Sequence, residues 1–448
     1  MNKKTVTEFF DKEYLEYAKY VVSNRAIPSC IDGLKPTQRK VIFVSNKIWK
    51  SGKEKPMKLF QLAGRVAAEA YYHHGNTSLE NAMVGMAQKF KNSLPLLDGI
   101  GQFGSLRSPS AGAPRYISAK LHPNFRLIYK DFELLEPNVE EGENIEPNFF
   151  LPIIPTVILN GSSGIAVGFA TNILNRNPKD IVDACINEIK GRPIKNLSPW
   201  LSEFNGTFER DPLNPNTWKI RGTYEIVNTT TVKITEIPPN YTYEKYENHL
   251  NNLVDKKWIT SYEDNSSDKI EYILKFNRAQ LKTFISKNKL DSVLRIDSSE
   301  TENLTTIDEN GNLKIFERVE DIIKHFVKVR LEWYQRRKDY LINKIRRELL
   351  IISNKARFIK DIIEGKLKIN NVPKDVIITY LEMNKYDKLD DSYNYLLNMP
   401  IYTLTKERYE ELLKQLESKR IELQDTEGLR IKDMYLSDLT ELKKSIKI

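Results

Sequence analysis

A chain of 448 residues, 40% hydrophobic and 29% charged, has room for two to four domains at roughly 100–200 residues each and is too polar for a membrane bundle. Its two cysteines, Cys30 and Cys185, lie far apart in sequence, which excludes a disulfide scaffold and a cysteine-rich zinc site. The net charge of +9 is uneven: residues 1–120 carry 19 basic and 9 acidic side chains, residues 121–150 carry 2 and 7, and the remainder 48 and 44.

The positive field therefore sits on the N-terminal quarter, the footprint expected for a polyanion partner, most often nucleic acid, with a merely soluble basic surface as the alternative on charge alone. No apolar leader precedes the first charged amphipathic stretch, which predicts a cytoplasmic protein.

In chain order, Pro36 opens a predicted helix carrying Val41, Ile42, Val44 and Ile48. Met57 to Tyr71 repeats apolar residues at helical spacing: Leu59, Leu62, Ala63, Val66 and Ala70. Thr77-Ser78-Leu79-Glu80 has the form of a capping box and starts a third helix, with Leu79, Met83, Met86 and Phe90 on one face. A glycine-rich segment (Gly99 to Gly112) and a strand-like run at Tyr116-Ile117 follow. This quarter reads as a helix-turn-helix with a wing, whose third helix approaches DNA.

From Pro147 to Asn175, 29 residues carry no charge, more than the about 20 that a membrane span requires. Pro152, Pro155 and the cluster from Asn160 to Gly164 interrupt it, so the prediction is two buried strands or turns with a tight connection, and no membrane. Strands are expected around Thr230–Ile234 and Ile270–Leu274, and Asn310-Gly311 signals a hairpin between Thr305–Ile307 and Leu313–Phe316. Val319, Ile322, Phe326, Val329 and Trp333 then step at heptad spacing. The helical pattern runs on to Gly365, giving a rod roughly 70 Å long. Tyr409, Leu412, Leu416 and Leu423 restart the stripe after a compact stretch at residues 366–400. The pattern predicts a long helix out, a self-associating knob and a helix back.

Four motifs carry the chemistry. Asp32-Gly33-Leu34-Lys35-Pro36-Thr37-Gln38-Arg39-Lys40 opens the first helix, and Tyr72-His73-His74-Gly75-Asn76-Thr77-Ser78-Leu79 leads into the third. The loop beginning Gly101-Gln102-Phe103-Gly104-Ser105 ends in Ala113-Pro114-Arg115-Tyr116-Ile117. Farther on stand Asn160-Gly161-Ser162-Ser163-Gly164-Ile165-Ala166-Val167-Gly168 and Ala170-Thr171-Asn172-Ile173. In this order they resemble the breakage-reunion (gyrase A-like) subunit of type IIA DNA topoisomerases, and within it the T-even phage branch, over nearly the whole chain.

The resemblance implies an α+β multidomain fold: an N-terminal arm (1–25), a winged-helix cleavage domain (26–146), an α/β tower (147–315), an outgoing coiled-coil helix (316–365), a helical dimerisation gate (366–402) and a returning helix with a tail (403–448). It implies that Tyr116 is the nucleophile that joins a DNA 5′ end, with Arg115 as its electrostatic partner. It matches Arg39 and His74 to groups at the scissile phosphate, and Ile173 to an apolar wedge between base pairs, for which a buried core isoleucine is the alternative. Lys35, Lys40, Thr77 and Ser78 are the further DNA-contacting candidates, Thr77 being equally a plain N-cap. The chemistry suits the residue types. A phosphotyrosine diester retains the energy of the broken bond, and a phenol of ordinary pKa near 10 needs neighbouring positive charge to attack.

Pro114 departs from the small or polar residue usual before Arg-Tyr in the family, and the adjacent His73-His74 differ from a His-Pro-His pattern. Neither a Walker-type ATP loop nor a Glu…Asp-x-Asp cluster is found in the sequence. The resemblance therefore implies that ATP and Mg²⁺ are both held by partner subunits and that this chain supplies no metal ligands. It further implies a homodimer within a larger hetero-oligomer in a phage-infected host, relaxing or decatenating DNA rather than supercoiling it. The rival readings are a non-enzymatic winged-helix protein that bends DNA and a tyrosine recombinase; the early position of Arg115-Tyr116 argues against the second.

Overall fold

The computed structural model describes residues 10–446 apart from Asp268. The first nine residues of the predicted arm and the last two of the predicted tail lie outside the described residues. The chain forms two compact units: residues up to Arg330 together with those from Leu436 onward, and Leu331–Tyr435.

The first unit begins with helix α1 (Leu15–Val21), set between π-helical turns Phe10–Tyr14 and Val22–Ala26. Helix α2 (Pro36–Ile48) has proline at its first position, where an N–H would go unpaired anyway, and buries Val41, Ile42 and Val44. The stretch read as wholly helical from Met57 opens instead as strand β1 (Met57–Lys58), paired with Ala119 and Ser118. Helix α3 (Leu59–Glu69) follows and buries Leu59, Leu62, Ala63 and Val66.

Helix α4 (Asn76–Ala87) is capped by Gly75 without a side-chain bond, so the predicted capping box does not form. Tyr71 adopts a left-handed φ of 50° and Tyr72 is buried; that anchored turn brings the backbone into the helix at Asn76. Strands β2 (Leu97–Ile100) and β3 (Ser118–Leu121) complete an antiparallel sheet ordered β1-β3-β2. The strand expected at Tyr116-Ile117 begins only at Ser118, because the amides of Tyr116 and Ile117 both donate back to the Ala113 carbonyl.

The uncharged run is core. Leu151–Pro152 pairs with Tyr129–Lys130, Thr156–Leu159 makes one helical turn, and Ser162–Ile165 with Ala170–Ile173 forms a hairpin. Leu151, Ile153, Ile154, Val157, Ile158 and Leu159 are fully buried. Among the described residues no helix is long and apolar enough to cross a membrane.

Beyond it lie a three-stranded sheet centred on Thr217–Arg221 and a four-stranded antiparallel sheet with Thr231–Glu236 and Tyr272–Lys275 inside. Val232, Ile234, Tyr246, Leu250, Tyr272 and Leu274 form the core of the second sheet and helix Tyr243–Asp255. Asn310-Gly311 joins the paired strands Leu304–Ile307 and Leu313–Phe316, with Gly311 at φ 81°.

Helix Val319–Ile363 spans 45 residues, roughly 70 Å at the usual rise. Along its opening stripe Val319, Ile322, Phe326 and Val329 are buried within the first unit, the apolar face that the heptad spacing reports.

In the second unit the remainder of that helix runs antiparallel to Lys406–Gly428. Lys419 pairs with Glu348 and Arg346 with Glu427, each at 2.7 Å, and Ile352 and Ile359 pack with Leu412. Helices Lys374–Met383 and Asn394–Leu397 close the distal end over Phe358, Leu381, Tyr386 and Leu396. The return is broken after Gly428, and Ile431–Ser445 forms a separate helix.

Candidate active site

Tyr116 stands on a tight turn between the glycine loop and β3, with 73% of its surface exposed. Its amide is tied to Ala113 at 2.8 Å, and the Lys58 ammonium donates to its carbonyl at 2.8 Å. The Pro114 carbonyl accepts from the Phe60 amide at 3.4 Å, which ties the turn to the start of α3. The Arg115 guanidinium lies 6.0 Å from the Tyr116 ring centre. Among the described residues the Tyr116 hydroxyl has no hydrogen-bond partner. The turn thus offers an exposed oxygen nucleophile with Arg115 near its ring and Lys58 bracing its backbone.

His73, His74, Thr77 and Ser78 are all exposed around the first turn of α4, an end whose leading backbone N–H groups favour an anion, although the Ser78 amide already donates to the Gly75 carbonyl at 3.1 Å. His74 Nε2 lies 3.0 Å from the Tyr20 hydroxyl, while His73 Nε2 lies 2.9 Å from a Glu140 carboxylate oxygen.

Three predicted residues are placed otherwise. Arg39 is buried, donating to both Asp32 carboxylate oxygens at 2.7 and 3.1 Å and to the Leu34 carbonyl at 3.1 Å. The same carboxylate accepts from the amides of Leu34 and Phe150. Arg39 therefore pins the loop before α2 and presents no free fork to a phosphate. Lys40 is likewise committed, to Glu146 at 2.9 Å and to the Ala70 carbonyl at 2.5 Å. Ile173 is only 3% exposed; it pairs with Ser162 at the buried end of the hairpin and cannot enter a base stack without unravelling it.

The hairpin does present an apolar side chain at its other end. Ile165, opposite Ala170 and beside the turn closed by the Ala166–Phe169 bond, is 88% exposed. Lys35 braces this strand by donating to the Ser163 carbonyl at 2.7 Å, and burial lowers the proton affinity of its ammonium. The approach is close: a Cβ on Gly164 would stand 2.2 Å from the Ala26 carbonyl oxygen and 3.1 Å from Lys35 Nζ. Arg25, one residue before Ala26, is exposed in the last turn of the N-terminal helix. Sequence reading passed over both Ile165 and Arg25. The available signal was Gly164 before Ile165 and Gly168 three residues after it; for Arg25 the sequence offered none beyond its charge.

Among the described residues, the grouping able to offer three metal ligands is Cys30, Glu309 and His325. Burial, with Glu309 and Asp308 nearby, pushes the Cys30 thiol up to about 12. His325 Nε2 meets Glu309 at 2.8 Å and Nδ1 meets the Lys314 ammonium at 3.0 Å. A protonated thiol and an adjacent ammonium do not make the all-oxygen shell that Mg²⁺ demands.

A first unit that exposes an arginine-tyrosine pair and a bare helix N-terminus, together with a second unit built on an antiparallel helical hairpin, has the parts of a DNA-strand-handling protein. The family model for the A subunit of DNA gyrase and topoisomerase IV matches residues 25–442, and the chain belongs to that family. It is 34% identical to the DNA topoisomerase medium subunit of Enterobacteria phage T4 over 453 residues, covering 99% of this chain and 100% of that one. It is 35% identical to the mitochondrial DNA topoisomerase 2 of Dictyostelium discoideum over 98% of this chain, of whose length it spans 35%. A solved Plasmodium falciparum structure, the topoisomerase II DNA-binding, cleavage and re-ligation domain, superposes with a TM-score of 0.85 at 34% identity, over 98% of this chain and 64% of that one.

Proposed function

We propose that this chain is the DNA-cleaving and resealing subunit of an ATP-dependent type II DNA topoisomerase. The observation that carries the reading is Tyr116: an exposed phenol beside Arg115, on a turn whose backbone Lys58 braces, in a chain of this family. To attack, the phenol must release its proton to solvent. The phenolate oxygen bonds to a backbone phosphorus, the bond to the deoxyribose 3′ oxygen breaks, and that oxygen takes up a proton. Resealing is the reverse, with the bond energy conserved in the phosphotyrosine.

The first turn of α4, with Thr77 and Ser78, approaches the backbone phosphates through its N–H groups, and His74 lies at its entrance. Arg25, rather than Arg39, is the arginine free to meet the scissile phosphate. Ile165, rather than Ile173, is the apolar wedge that unstacks a base step and bends the duplex. Lys35 contributes charge at the foot of the same hairpin, whereas Lys40 serves the fold.

Two copies, each attacking one strand, give a transient double-strand break through which a second duplex passes. The homodimer contact of the second unit is formed by its exposed apolar residues Met383, Ile401 and Tyr402. The family resemblance assigns Mg²⁺ and ATP to partner subunits, and the Cys30, Glu309 and His325 grouping does not suit Mg²⁺. The test is detergent trapping with those subunits, Mg²⁺ and supercoiled DNA. Wild type should yield a covalent protein–DNA adduct and Tyr116→Phe none, while both bind DNA alike. A protein that only bends DNA would yield no adduct in either case.

A further inference from the structure

The glycine loop that delivers Tyr116 is held at two ends by side chains outside the active-site turn. On its inner side, the buried Gln88, just past the end of α4, donates from Nε2 to the carbonyls of Phe103 (2.8 Å) and Pro109 (3.0 Å). The loop is closed on itself by Gly112 donating to Gln102 at 2.9 Å, and its tip by reciprocal amide bonds between Ser105 and Ser108. Gly104 sits at φ 83°, where a Cβ would stand 2.8 Å from the Pro109 backbone. These contacts leave the loop little freedom to change shape.

At the tip stands Arg107, 7% exposed and nine residues ahead of the tyrosine. Its guanidinium reaches the segment between strand Thr231–Glu236 and helix Tyr243–Asp255. It donates to the Glu236 carboxylate at 2.6 Å and to the carbonyls of Ile237 (2.5 Å), Pro238 (2.7 Å) and Tyr241 (3.0 Å). Its own carbonyl accepts from the Tyr243 amide at 3.1 Å. Glu236 is itself buried and accepts from the amides of Asn205 and Ile237. A planar fork whose two terminal nitrogens donate to one carboxylate and three carbonyls fixes both distance and orientation. A shape-locked loop that is clamped at its tip transmits that position to its stem. The stem is Gly112-Ala113, and Ala113 supplies the carbonyl to which the Tyr116 amide is bound.

We infer that Arg107 is a positioning residue for strand cleavage, latching the nucleophile-bearing loop to Glu236 and the 237–241 segment so that Tyr116 is held at attacking distance from the phosphorus. The inference rests on the proposed role of Tyr116. Displacement of a reacting oxygen by about 1 Å costs up to about a hundred-fold in rate, and without its latch the loop is held from outside by the Gln88 bonds at its inner side and no longer at its tip.

The test uses the complete enzyme with its partner subunits, Mg²⁺ and negatively supercoiled plasmid, with enzyme in excess, stopped with detergent at successive times. A first-order rate constant for adduct formation does not depend on what fraction of the enzyme is folded; the amplitude does. In Arg107→Gln the rate constant should fall about ten-fold or more with plasmid affinity unchanged. Arg107→Lys, which keeps a charge on Glu236 but cannot reach four acceptors, should lie between. Amide exchange at Tyr116 and Ile117 should quicken in step. If both variants keep the wild-type rate constant and lose only amplitude, Arg107 is merely structural and the latch is overturned. Should Arg107→Gln fold poorly, Arg107→Lys decides alone. A wild-type enzyme that forms no Tyr116 adduct overturns the proposed function itself, a result the variants cannot mimic.

Discussion

Two isoleucines on one hairpin separate fold from function. In the free protein Ile165 is 88% exposed and Ile173 is 3% exposed. Ile165→Ala therefore removes almost no buried surface and should leave the melting temperature unchanged. If Ile165 enters a base stack, truncation forfeits the burial of its side chain, about 1.5–3 kcal/mol. At about 1.4 kcal/mol per factor of ten, the population of bent duplex should fall roughly ten- to hundred-fold, and cleavage with it. Ile173→Ala should do the opposite: lose about 2–5 kcal/mol of stability through cavity formation, yet bend DNA normally for each folded molecule. The assay is energy transfer between dyes at the ends of a short duplex, with anisotropy for total binding and calorimetry for stability. Undiminished bending by Ile165→Ala, together with loss of bending by a fully folded Ile173→Ala, would refute the reasoning.

Other outcomes follow from the same placements. Arg39→Met should leave Asp32 buried without its counter-ion and cost about 3–5 kcal/mol, seen as a lowered melting temperature. Arg25→Ala, at an exposed position, should melt like wild type while reducing adduct formation at equal DNA affinity. Replacing Ile401 and Tyr402, which are 77% and 81% exposed, by Glu should convert a dimer to a monomer in sedimentation equilibrium at micromolar concentration, with the circular dichroism spectrum unchanged.

Local rules were readable where a few neighbouring residues decide the outcome. Pro36 at a helix start, the 3.6-residue pattern from Leu59 and the Asn310-Gly311 turn all correspond to the elements observed. Reading failed where a distant partner decides. Arg39 in a basic helix resembles a phosphate ligand until Asp32 and Phe150 are seen around it. The capping box at Thr77 lost to Gly75 because a buried Tyr72 fixes the approach of the chain. On the hairpin, Ile165 and Ile173 are chemically identical, and only the surrounding fold distinguishes the one left outside. In the active-site region, Arg115-Tyr116 was legible as a motif; the bracing of that turn by Lys58 was not, because β1 meets it only through sheet pairing to β3.

The central claim is that one phenolic oxygen takes over a bond of the DNA backbone. Its most direct test is mass spectrometry of the detergent-trapped, nuclease- and protease-digested complex. A nucleotide is expected on the peptide containing Tyr116, attached through a 5′ phosphate; a nucleotide on any other residue, or on none, would show that Tyr116 is not the nucleophile.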